Sequence, residues 1–327
     1  MADRLHGAVA LNVAAQRLRR QLLDGPRAAT PHEVVSHLGC VQAQDYLGAL
    51  WAVGARMRSG TEADVERALA EGTIVRTWPL RGTLHFVAAE DVHWILDFLG
   101  PRAIRRQRAL DERLLPRCRT AARRALSGGN ALTRSELYAA LPPGDRLQIV
   151  WRLAHEKLIC FGPRRGKQQT FVLLDEWVPP SRTRAPADPL AELARRYFAS
   201  HGPATAEDFA WWAGLPLSEA RRVTPPFAST SARATSVHLL PPFDEYTVAY
   251  TDRRDILDPA FAKRVNAGGG MLNAVIVSHG RVVGTWKRTL SRNSVTVTPS
   301  LFRDLTAAEA RALEHQIARY AAFLAKG

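Results

Sequence analysis

Cysteine and lysine are scarce in this chain of 327 residues, and long apolar runs are absent. The three cysteines, Cys40, Cys118 and Cys160, are odd in number and far apart, so they predict neither a disulfide framework nor a zinc site. No run of about 18 apolar residues could cross a membrane, and no N-terminal apolar segment resembles a signal peptide. We therefore expect a protein of the reducing cytoplasm that has no membrane partner.

Acidic residues are too few to balance the basic ones. The chain has 45 lysines and arginines against 31 aspartates and glutamates, and its formal net charge is +14. Only five of the 45 are lysines, which leaves 40 arginines. This excess predicts a polyanionic partner, and the planar guanidinium group suits phosphate and guanine. A GC-rich genome also enriches arginine, and in that alternative the charge is only a solvated surface.

The first predicted module spans residues 1–116. Its helices are indicated by apolar spacing, and its strands by short runs rich in β-branched and aromatic residues. The predicted helices cover residues 8–23, 31–38, 46–57, 62–70, 89–99 and 102–115, and the predicted strands cover 74–78 and 83–87. Helices followed by a hairpin are the order of a winged helix, in which Arg81 lies at the tip of the wing.

The second predicted module, residues 117–178, repeats this plan. Thr133 and Glu136 have the spacing of a capping box, which marks the start of a helix. The other predicted helices cover residues 117–126 and 145–158, and the predicted strands cover 159–161 and 170–174. The segment between these strands is a second wing with a basic tip. Its glycine spacing does not match a phosphate-binding loop, and Gln168 stands where such a loop needs serine or threonine.

A proline-rich linker at residues 179–189 opens the third module, residues 179–235, which is predicted to be helical. The remaining chain, residues 236–327, changes to the period of two that is typical of strands. The predicted helices cover residues 190–200, 206–213, 217–223 and 305–324, and the predicted strands cover 237–240, 246–248, 274–277, 282–286 and 295–297. A tight hairpin is predicted at residues 278–281, and a capping box is predicted at Thr306 and Glu309.

The segment Cys40–Tyr46 carries two glutamines, Gln42 and Gln44, separated by one residue. On an α-helix they would point about 200° apart, so they can converge only where the chain is extended or turns. Each amide oxygen can accept a hydrogen bond from water while the NH2 group holds another group. Such a pair orients a nucleophile without strongly deprotonating it, which suits a reaction with an activated leaving group. The alternative is that both are polar turn residues between two helices.

Asp45 follows Gln44 directly and allows two interpretations. It can act as a carboxylate beside the glutamines, or it can cap the helix that begins at Tyr46. We favour the cap.

Other polar residues indicate structure rather than chemistry. His32 and His37 are five residues apart, so they do not share a helical face and predict no metal site. Asp244 and Glu245 precede a predicted strand, and we expect a structural role for both. His85 lies near the first wing, where a histidine is more often a satisfied surface or core residue than a base.

Four blocks of the sequence carry a resemblance to a known family. The blocks are 41–44 (VQAQ), 76–85 (RTWPLRGTLH), 240–246 (LPPFDEY) and 280–288 (GRVVGTWKR). On these blocks the chain resembles, over nearly its whole length, the bacterial winged-helix DNA glycosylases of the AlkZ/YcaQ family. Those enzymes unhook interstrand crosslinks and remove bulky alkylpurine adducts. The two glutamines fit the two-glutamine branch, which looks like the antibiotic self-resistance enzymes.

The resemblance implies an α+β fold, with three tandem winged-helix modules and a C-terminal β-rich element around a basic concave channel. It implies an enzyme that hydrolyses the N-glycosidic bond of N7- or N3-alkylated purines. Gln42 and Gln44 would form its catalytic centre, and Asp45 would support them from outside that centre. The expected DNA contacts are Arg76, Arg81, His85, Arg164, Arg165, Lys167, Lys287 and Arg288. The expected partner is double-stranded DNA with alkylated purines, bound by a monomer at the bacterial nucleoid, and neither a cofactor nor a metal is expected.

No lysine lies within the glutamine motif or the first wing, so we expect monofunctional hydrolysis that leaves an abasic site, without a Schiff-base step. An alternative function is that of a non-catalytic winged-helix transcription regulator. Such a regulator usually reads a palindrome as a dimer, and no heptad or dimer helix is evident. An architectural DNA-binding protein would account for the charge but not for the paired glutamines. Excision of an adducted base distinguishes the first function from both alternatives.

Overall fold

The computed structural model describes residues 13–107, 110–226, 234, 236–291 and 294–325. The chain divides into two compact units: unit 1 comprises Met1–Val65 and Ala194–Gly327, and unit 2 comprises Glu66–Leu193. Unit 1 is therefore built from two separate parts of the sequence, and unit 2 is one continuous segment. The three repeated modules and the β-rich C-terminal element predicted from the sequence, with their boundaries, stay a prediction. Part of the helix predicted at 8–23 lies outside the described residues.

The fold is mixed, with many helices and small sheets. The helices are α1 (residues 13–20), α2 (Pro31–Leu38), α3 (Tyr46–Gly54), α4 (Glu62–Ala70), α5 (Ala89–Arg105), α6 (Leu115–Leu126), α7 (Arg134–Ala140), α8 (Arg146–His155), α9 (Leu174–Trp177), α10 (Pro189–His201), α11 (Ala206–Ala213), α12 (Leu217–Val223), α13 (Glu245–Val248), α14 (Ala262–Val265) and α15 (Ala307–Leu324), and 3-10 turns lie at Glu112–Leu114, Pro180–Arg182 and Pro259–Phe261. The strands are β1 (Val41–Gln42), β2 (Ile74–Leu80), β3 (Thr83–Ala88), β4 (Leu132–Thr133), β5 (Ile159–Arg165), β6 (Gln168–Leu173), β7 (Val237–Leu240), β8 (Asn266–Gly268), β9 (Met271–Leu272), β10 (Val275–Ser278), β11 (Arg281–Leu290) and β12 (Val295–Leu301). Over the part of the chain described, no helix combines the length and the apolar character that crossing a membrane requires.

In unit 2, strands lie side by side in the order β3-β2-β5-β6-β4. The hairpins β2–β3 and β5–β6 are both antiparallel, and Arg76 of β2 pairs with Phe161 of β5. The two predicted wings therefore share one sheet. Buried apolar side chains from α6, α7, α8 and the strands form the core, among them Cys118, Leu137, Ile149, Leu153, Phe161 and Phe171.

The first predicted hairpin is confirmed and is tighter than expected, while its role as the wing of a winged helix stays a prediction. Only Arg81 and Gly82 separate β2 from β3, and their φ angles are +52° and +73°. Two consecutive positive φ angles are the backbone of a type I′ turn, whose twist matches that of the flanking strands. Pro79 lies where the register shifts between Thr77 and Leu80, so its missing N–H costs no regular ladder bond.

The second hairpin corrects one expectation. Arg164 and Arg165 were predicted in the loop between two short strands, but both lie in β5, and only Gly166 and Lys167 form the turn. The strand extends this far because Pro163 lies at a register shift, where the ladder tolerates a residue without an N–H. Lys167 alone of these three basic residues keeps its predicted place at the tip.

The helix predicted at 89–99 is confirmed, but the separate helix predicted at 102–115 is wrong, since α5 runs without interruption from Ala89 to Arg105 with Pro101 inside it. A Cβ on Gly100 would lie 2.6 Å from the carbonyl oxygen of His155, so α5 and α8 approach closely at this glycine. Helix α5 thus continues past Pro101, a residue that normally ends a helix, and packs against α8 at that point.

In unit 1, strands are ordered β12-β11-β10-β7 and are antiparallel throughout. The predicted hairpin at 278–281 is confirmed, with His279 and Gly280 in its turn at positive φ. The capping box at Thr306 and Glu309 is confirmed as well, and it begins α15, which packs on β7 and α3.

Helix α15 fixes α3 by close contact. Trp51 of α3 lies 5.0 Å from Tyr320 and 5.1 Å from Phe323, measured between ring centroids. A Cβ on Gly54 would overlap the Phe323 ring, so only glycine allows α3 to approach α15 so closely. Nη2 of Arg319 donates to the carbonyl oxygens of Gly54, Ala55 and Met57. The C-terminal end of α3 is therefore satisfied by a side chain from the other end of the sequence.

The strand predicted at 246–248 is wrong, because these residues belong to helix α13. The side chain of Asp244 accepts a hydrogen bond from the backbone N–H of Tyr246 at 2.9 Å and so caps this helix. The run Tyr-Thr-Val has the composition of a strand, and the cap outweighs that preference.

Candidate active site

The two glutamines lie where the chain leaves one helix and enters the next. Gly39 ends α2 with a φ of +80°, the chain then extends through β1, and it bends at Gln44 before α3 begins. Gln42 is 7% exposed, whereas the side chain of Gln44 is exposed. The prediction that this segment must be extended or turning is confirmed, because Gln42 is in the strand and Gln44 is in the bend.

The backbone of Gln42 is fixed by a buried carboxylate. Oε1 of Glu245 accepts a hydrogen bond from the Gln42 N–H at 2.8 Å, and Oε2 accepts one from Nε1 of Trp212 at 3.0 Å. Nε2 of His201 lies 3.3 Å from the same Oε2. Glu245 is 1% exposed, so these contacts replace the water that an exposed carboxylate would bind. This contact could not be predicted from the sequence, since 203 residues separate the two partners.

The neighbouring carboxylate, Asp244, is held by a fully buried arginine. Both nitrogens of the Arg56 fork donate to Asp244 at 2.8 Å, and one of them also donates to the side-chain oxygen of Gln21 at 2.9 Å. Both side chains are fully buried, and bidentate geometry is what such a pair needs to offset its desolvation. The predicted structural role of Asp244 is confirmed, and the turn that carries Glu245 is rigidly placed.

Asp45 stands at the N-cap position of α3, but its side chain makes no capping hydrogen bond there. The favoured interpretation of Asp45 as a cap is therefore wrong. Its carboxylate lies over Gly48 instead: a Cβ on Gly48 would lie 2.5 Å from Oδ2 of Asp45 and 3.3 Å from Cβ of Pro241. The absence of a side chain at Gly48 leaves room for this carboxylate one turn after the glutamines.

The predicted DNA contacts of unit 2 fall into two groups. Arg76 and His85 are buried: the Arg76 guanidinium lies 4.8 Å from the centroid of the Phe161 ring, and Nδ1 of His85 lies 2.9 Å from the carbonyl oxygen of Thr83. The others lie on or between the strands of the two hairpins. Arg81 is partly exposed and Lys167 is exposed.

Arg164 and Arg165 each form an ion pair. Arg164 contacts Glu66 at 2.6 Å, and Arg165 contacts Glu136 at 2.8 Å. Hydrogen bonds from the backbone and hydroxyl of Thr133, and then from Arg165, hold the pKa of Glu136 below its usual range. Phosphate contact would therefore have to replace existing pairs at both arginines, which the sequence alone could not indicate.

The predicted contacts of unit 1, Lys287 and Arg288, lie on β11. Lys287 is exposed, whereas Nη1 of Arg288 donates to the hydroxyl oxygen of Tyr320 at 2.6 Å. The same Tyr320 ring packs against Trp286, at 5.1 Å between centroids. Arg288 thus joins the long hairpin β11–β12 to α15, the helix that fixes α3.

Within the described ranges, no group of three or more histidine, cysteine, aspartate or glutamate side chains is arranged to hold a metal ion. The expectation that the protein uses no metal stays a prediction.

Comparisons with known proteins identify relatives that cover most of this chain. The family model described as DNA glycosylase AlkZ-like matches residues 35–231 and 225–323. An interstrand DNA cross-link repair glycosylase from Streptomyces sahachiroi is 26% identical over 358 aligned positions, which cover 94% of this chain and 95% of the relative. The solved structure of Streptomyces sahachiroi DNA glycosylase AlkZ matches with a TM-score of 0.76 at 24% identity, covering 96% of each chain.

Fold and family match together define the protein as a DNA glycosylase, a hydrolase that acts on N-glycosyl bonds. Within this class, the chain belongs to the AlkZ-like family. The resemblance stated from the four sequence blocks is confirmed. The enzymatic function is thereby favoured over the transcription regulator, and DNA is the substrate.

Proposed function

We propose that Gln42 and Gln44 hold the water that attacks the sugar of an N7- or N3-alkylated purine nucleotide. The observation that carries the proposal is the course of the backbone at residues 42–44, which is extended at Gln42 and bent at Gln44. This is the local geometry that two amides separated by one residue need to serve one target. The rigid support of the segment by Glu245 favours preorganisation as the source of the rate gain.

The chemistry matches the weak acidity and basicity of amides. Alkylation at N7 of guanine or N3 of adenine gives the base a positive charge, so the bond from C1′ breaks with its electron pair passing to the base. The sugar becomes oxocarbenium-like, water adds to C1′, and the water loses a proton. Asp45 is the nearest carboxylate in sequence to accept that proton, and the product is an abasic site. The motif contains no lysine for a Schiff base, so the proposal is for a monofunctional enzyme.

We also propose that tandem winged-helix modules form a basic concave channel for double-stranded DNA. The order of helices and hairpins in the sequence and the exposed Lys167 and Lys287 support this architecture. A flipped base has to enter a closed pocket, whereas an open channel would let a bulky adduct be processed in place. By analogy with the relative from Streptomyces, we extend the substrate to interstrand crosslinks, in repair or antibiotic self-resistance. We further propose that the enzyme acts as a monomer in the cytoplasm, at the nucleoid.

Excision from a duplex with one N7-alkylguanine tests this function. We expect Gln42→Ala and Gln44→Ala each to lower the single-turnover rate by roughly 100- to 1000-fold, with DNA affinity changed only a few-fold. Gln44→Asp is expected to keep part of the activity. Gln107→Ala is the matched control, because the side chain of Gln107 forms hydrogen bonds within unit 2, to Gln148 and Arg152. Wild-type rates in both motif variants would reject the catalytic assignment.

A further inference from the structure

Glu245 combines burial with a direct contact to the glutamine motif. Its two carboxylate oxygens serve different donors, because Oε1 accepts from the Gln42 N–H at 2.8 Å and Oε2 accepts from Trp212 Nε1 at 3.0 Å. Gln42 and Trp212 come from β1 and α11, so Glu245 links a strand of the active site to the helical part of unit 1. A side chain that was only filling space would not need two acceptors aimed in two directions.

A third polar group, His201, lies beside Glu245. Nε2 of His201 lies 3.3 Å from Oε2 of Glu245, and Nδ1 lies 2.8 Å from the Ser200 hydroxyl oxygen. Polar groups from three directions therefore surround this buried carboxylate, as burial of a polar side chain requires. Stacking on Tyr197, at 4.9 Å and 9° between the rings, fixes the imidazole plane.

We propose that Glu245 is a positioning residue for the reaction: its buried carboxylate fixes the backbone N–H of Gln42 and thereby the direction of the Gln42 amide. This inference rests on the proposed function of the glutamines. A buried N–H without an acceptor costs about 1–3 kcal/mol, so the segment moves when the acceptor is lost. A displacement of about 1 Å in a positioned group lowers a reaction rate on the order of 100-fold.

The variant Glu245→Gln keeps the volume and converts one acceptor into a donor. If the amide oxygen faces Gln42, the NH2 group faces the Trp212 N–H, and if the amide turns round, the NH2 group faces the Gln42 N–H. Donor meets donor in both orientations. Trp212→Phe removes one of the donors. In the double variant the amide oxygen can accept from the Gln42 N–H, and the NH2 group no longer meets the indole N–H.

The experiment measures two quantities in the wild type, Glu245→Gln, Trp212→Phe and the double variant. The first is the single-turnover excision rate at saturating protein on N7-alkylguanine DNA. The second is the hydrogen exchange of the peptide that contains Gln42. We expect Glu245→Gln to lower the rate by about 10- to 100-fold and to accelerate exchange by a similar factor. The double variant is expected to regain at least about 10-fold in both quantities, with the affinity for DNA unchanged within about 3-fold.

Three outcomes would overturn the proposal. Wild-type exchange and rate in Glu245→Gln would show that the contact positions nothing. A double variant with restored exchange and no restored rate would assign the loss to the charge of Glu245 instead of its hydrogen bond. A lower rate in Glu245→Gln without faster exchange at Gln42, and without rescue in the double variant, would also reject the positioning role. If the wild type excised no alkylguanine, the function proposed for the glutamines would fail, while the exchange result would still decide whether Glu245 fixes Gln42.

Discussion

One glycine of α3 decides where the carboxylate of Asp45 lies. Because Gly48 has no side chain, Oδ2 of Asp45 lies only 2.5 Å from the position that a Cβ would take. Cβ of Pro241 lies 3.3 Å from the same position. A second glycine on the same helix, Gly54, receives the Phe323 ring instead. The two positions therefore differ in what a new methyl group would displace: a short polar side chain at the first and a packed aromatic ring at the second.

We predict that alanine at Gly48 lowers the activity, whereas alanine at Gly54 lowers the stability. Gly48→Ala is expected to gain up to about 1 kcal/mol in helix propensity and to displace Asp45, so the melting temperature holds while the single-turnover excision rate falls by about 10-fold or more. Gly54→Ala is expected to destabilise unit 1 by about 1–3 kcal/mol through overpacking. Thermal unfolding and excision at a temperature below both transitions separate the effects. Wild-type excision by Gly48→Ala would mean that Asp45 takes no part in the reaction.

Residue chemistry made part of the site predictable. Gln42 and Gln44 could be singled out because two amides at that spacing already restrict the backbone to an extended or turning course. Asp45 could not be assigned correctly, since its position depends on an empty space at Gly48. The contact of Glu245 with Gln42 could not be predicted, because 203 residues separate the two partners. The ion pair of Arg164 could not be predicted either, because its partner, Glu66, is 98 residues away in the sequence.

At the scale of single elements, local signals predicted starts better than ends. The capping boxes at Thr133 and Thr306 are both formed, since a cap is made by residues three positions apart. The run after Asp244 was misread because a strand-like composition competed with a cap. The break expected near Pro101 did not occur, since α5 continues to Arg105 and approaches α8 closely at Gly100.

Helix α8 carries a histidine that makes unit 2 sensitive to acid. Nδ1 of His155 donates to the carbonyl oxygen of Trp151 at 2.8 Å, and its ring lies 3.7 Å from the Trp151 ring. Nε2 is buried and has no hydrogen-bond partner among the described residues. Burial lowers the pKa of His155 from 6.5 to about 4. Protonation therefore favours the unfolded chain.

We predict that His155 costs stability as the pH falls from 6.5 to 4. Burial of the neutral imidazole contributes at most about 3 kcal/mol to the free energy of unfolding. This contribution is fully present above the unfolded pKa of 6.5, decreases as the pH falls to 4 and is lost below 4. His155→Phe keeps a ring against Trp151 and removes the titration. The free energy of unfolding, measured by denaturant at several pH values, should fall less steeply for this variant between pH 6.5 and 4. Parallel curves would contradict the pKa assignment.

At the scale of the whole molecule, the net charge overstates the number of basic side chains that are available to contact DNA. Many arginines already serve the protein's own carboxylates, including Arg56 with Asp244, Arg119 with Glu156, Arg152 with Glu112, Arg164 with Glu66 and Arg165 with Glu136. The exposed lysines of the hairpins, Lys167 and Lys287, are therefore the better candidates for phosphate contacts.

We predict that DNA affinity falls with salt at a logarithmic slope near −5, which corresponds to about six neutralised phosphates and a loss of roughly 1000-fold between 50 and 200 mM. Lys167→Ala is expected to flatten the slope by about one unit on every duplex, because phosphate contacts carry no sequence information directly. Arg164→Ala should flatten it by less than about half a unit, since its guanidinium is paired with Glu66. Fluorescence anisotropy over a salt series measures both.

An unchanged slope for Lys167→Ala would remove the second wing from the DNA interface. Equal flattening by Arg164→Ala would show that this arginine leaves Glu66 when DNA binds. A loss confined to one DNA sequence would instead indicate base readout.

The discontinuity of unit 1 has a consequence for the order in which a ribosome completes the enzyme. Gln42 is synthesised early, but Glu245 follows 203 residues later, after all of unit 2. At about 5–20 residues per second, this interval lasts about 10–40 s, and α15 comes later still. During that time the glutamine segment has neither its carboxylate nor the helix that fixes α3. Translation that stops before Glu245 should therefore release a product unable to cut bases from the chromosome, even though both glutamines are present.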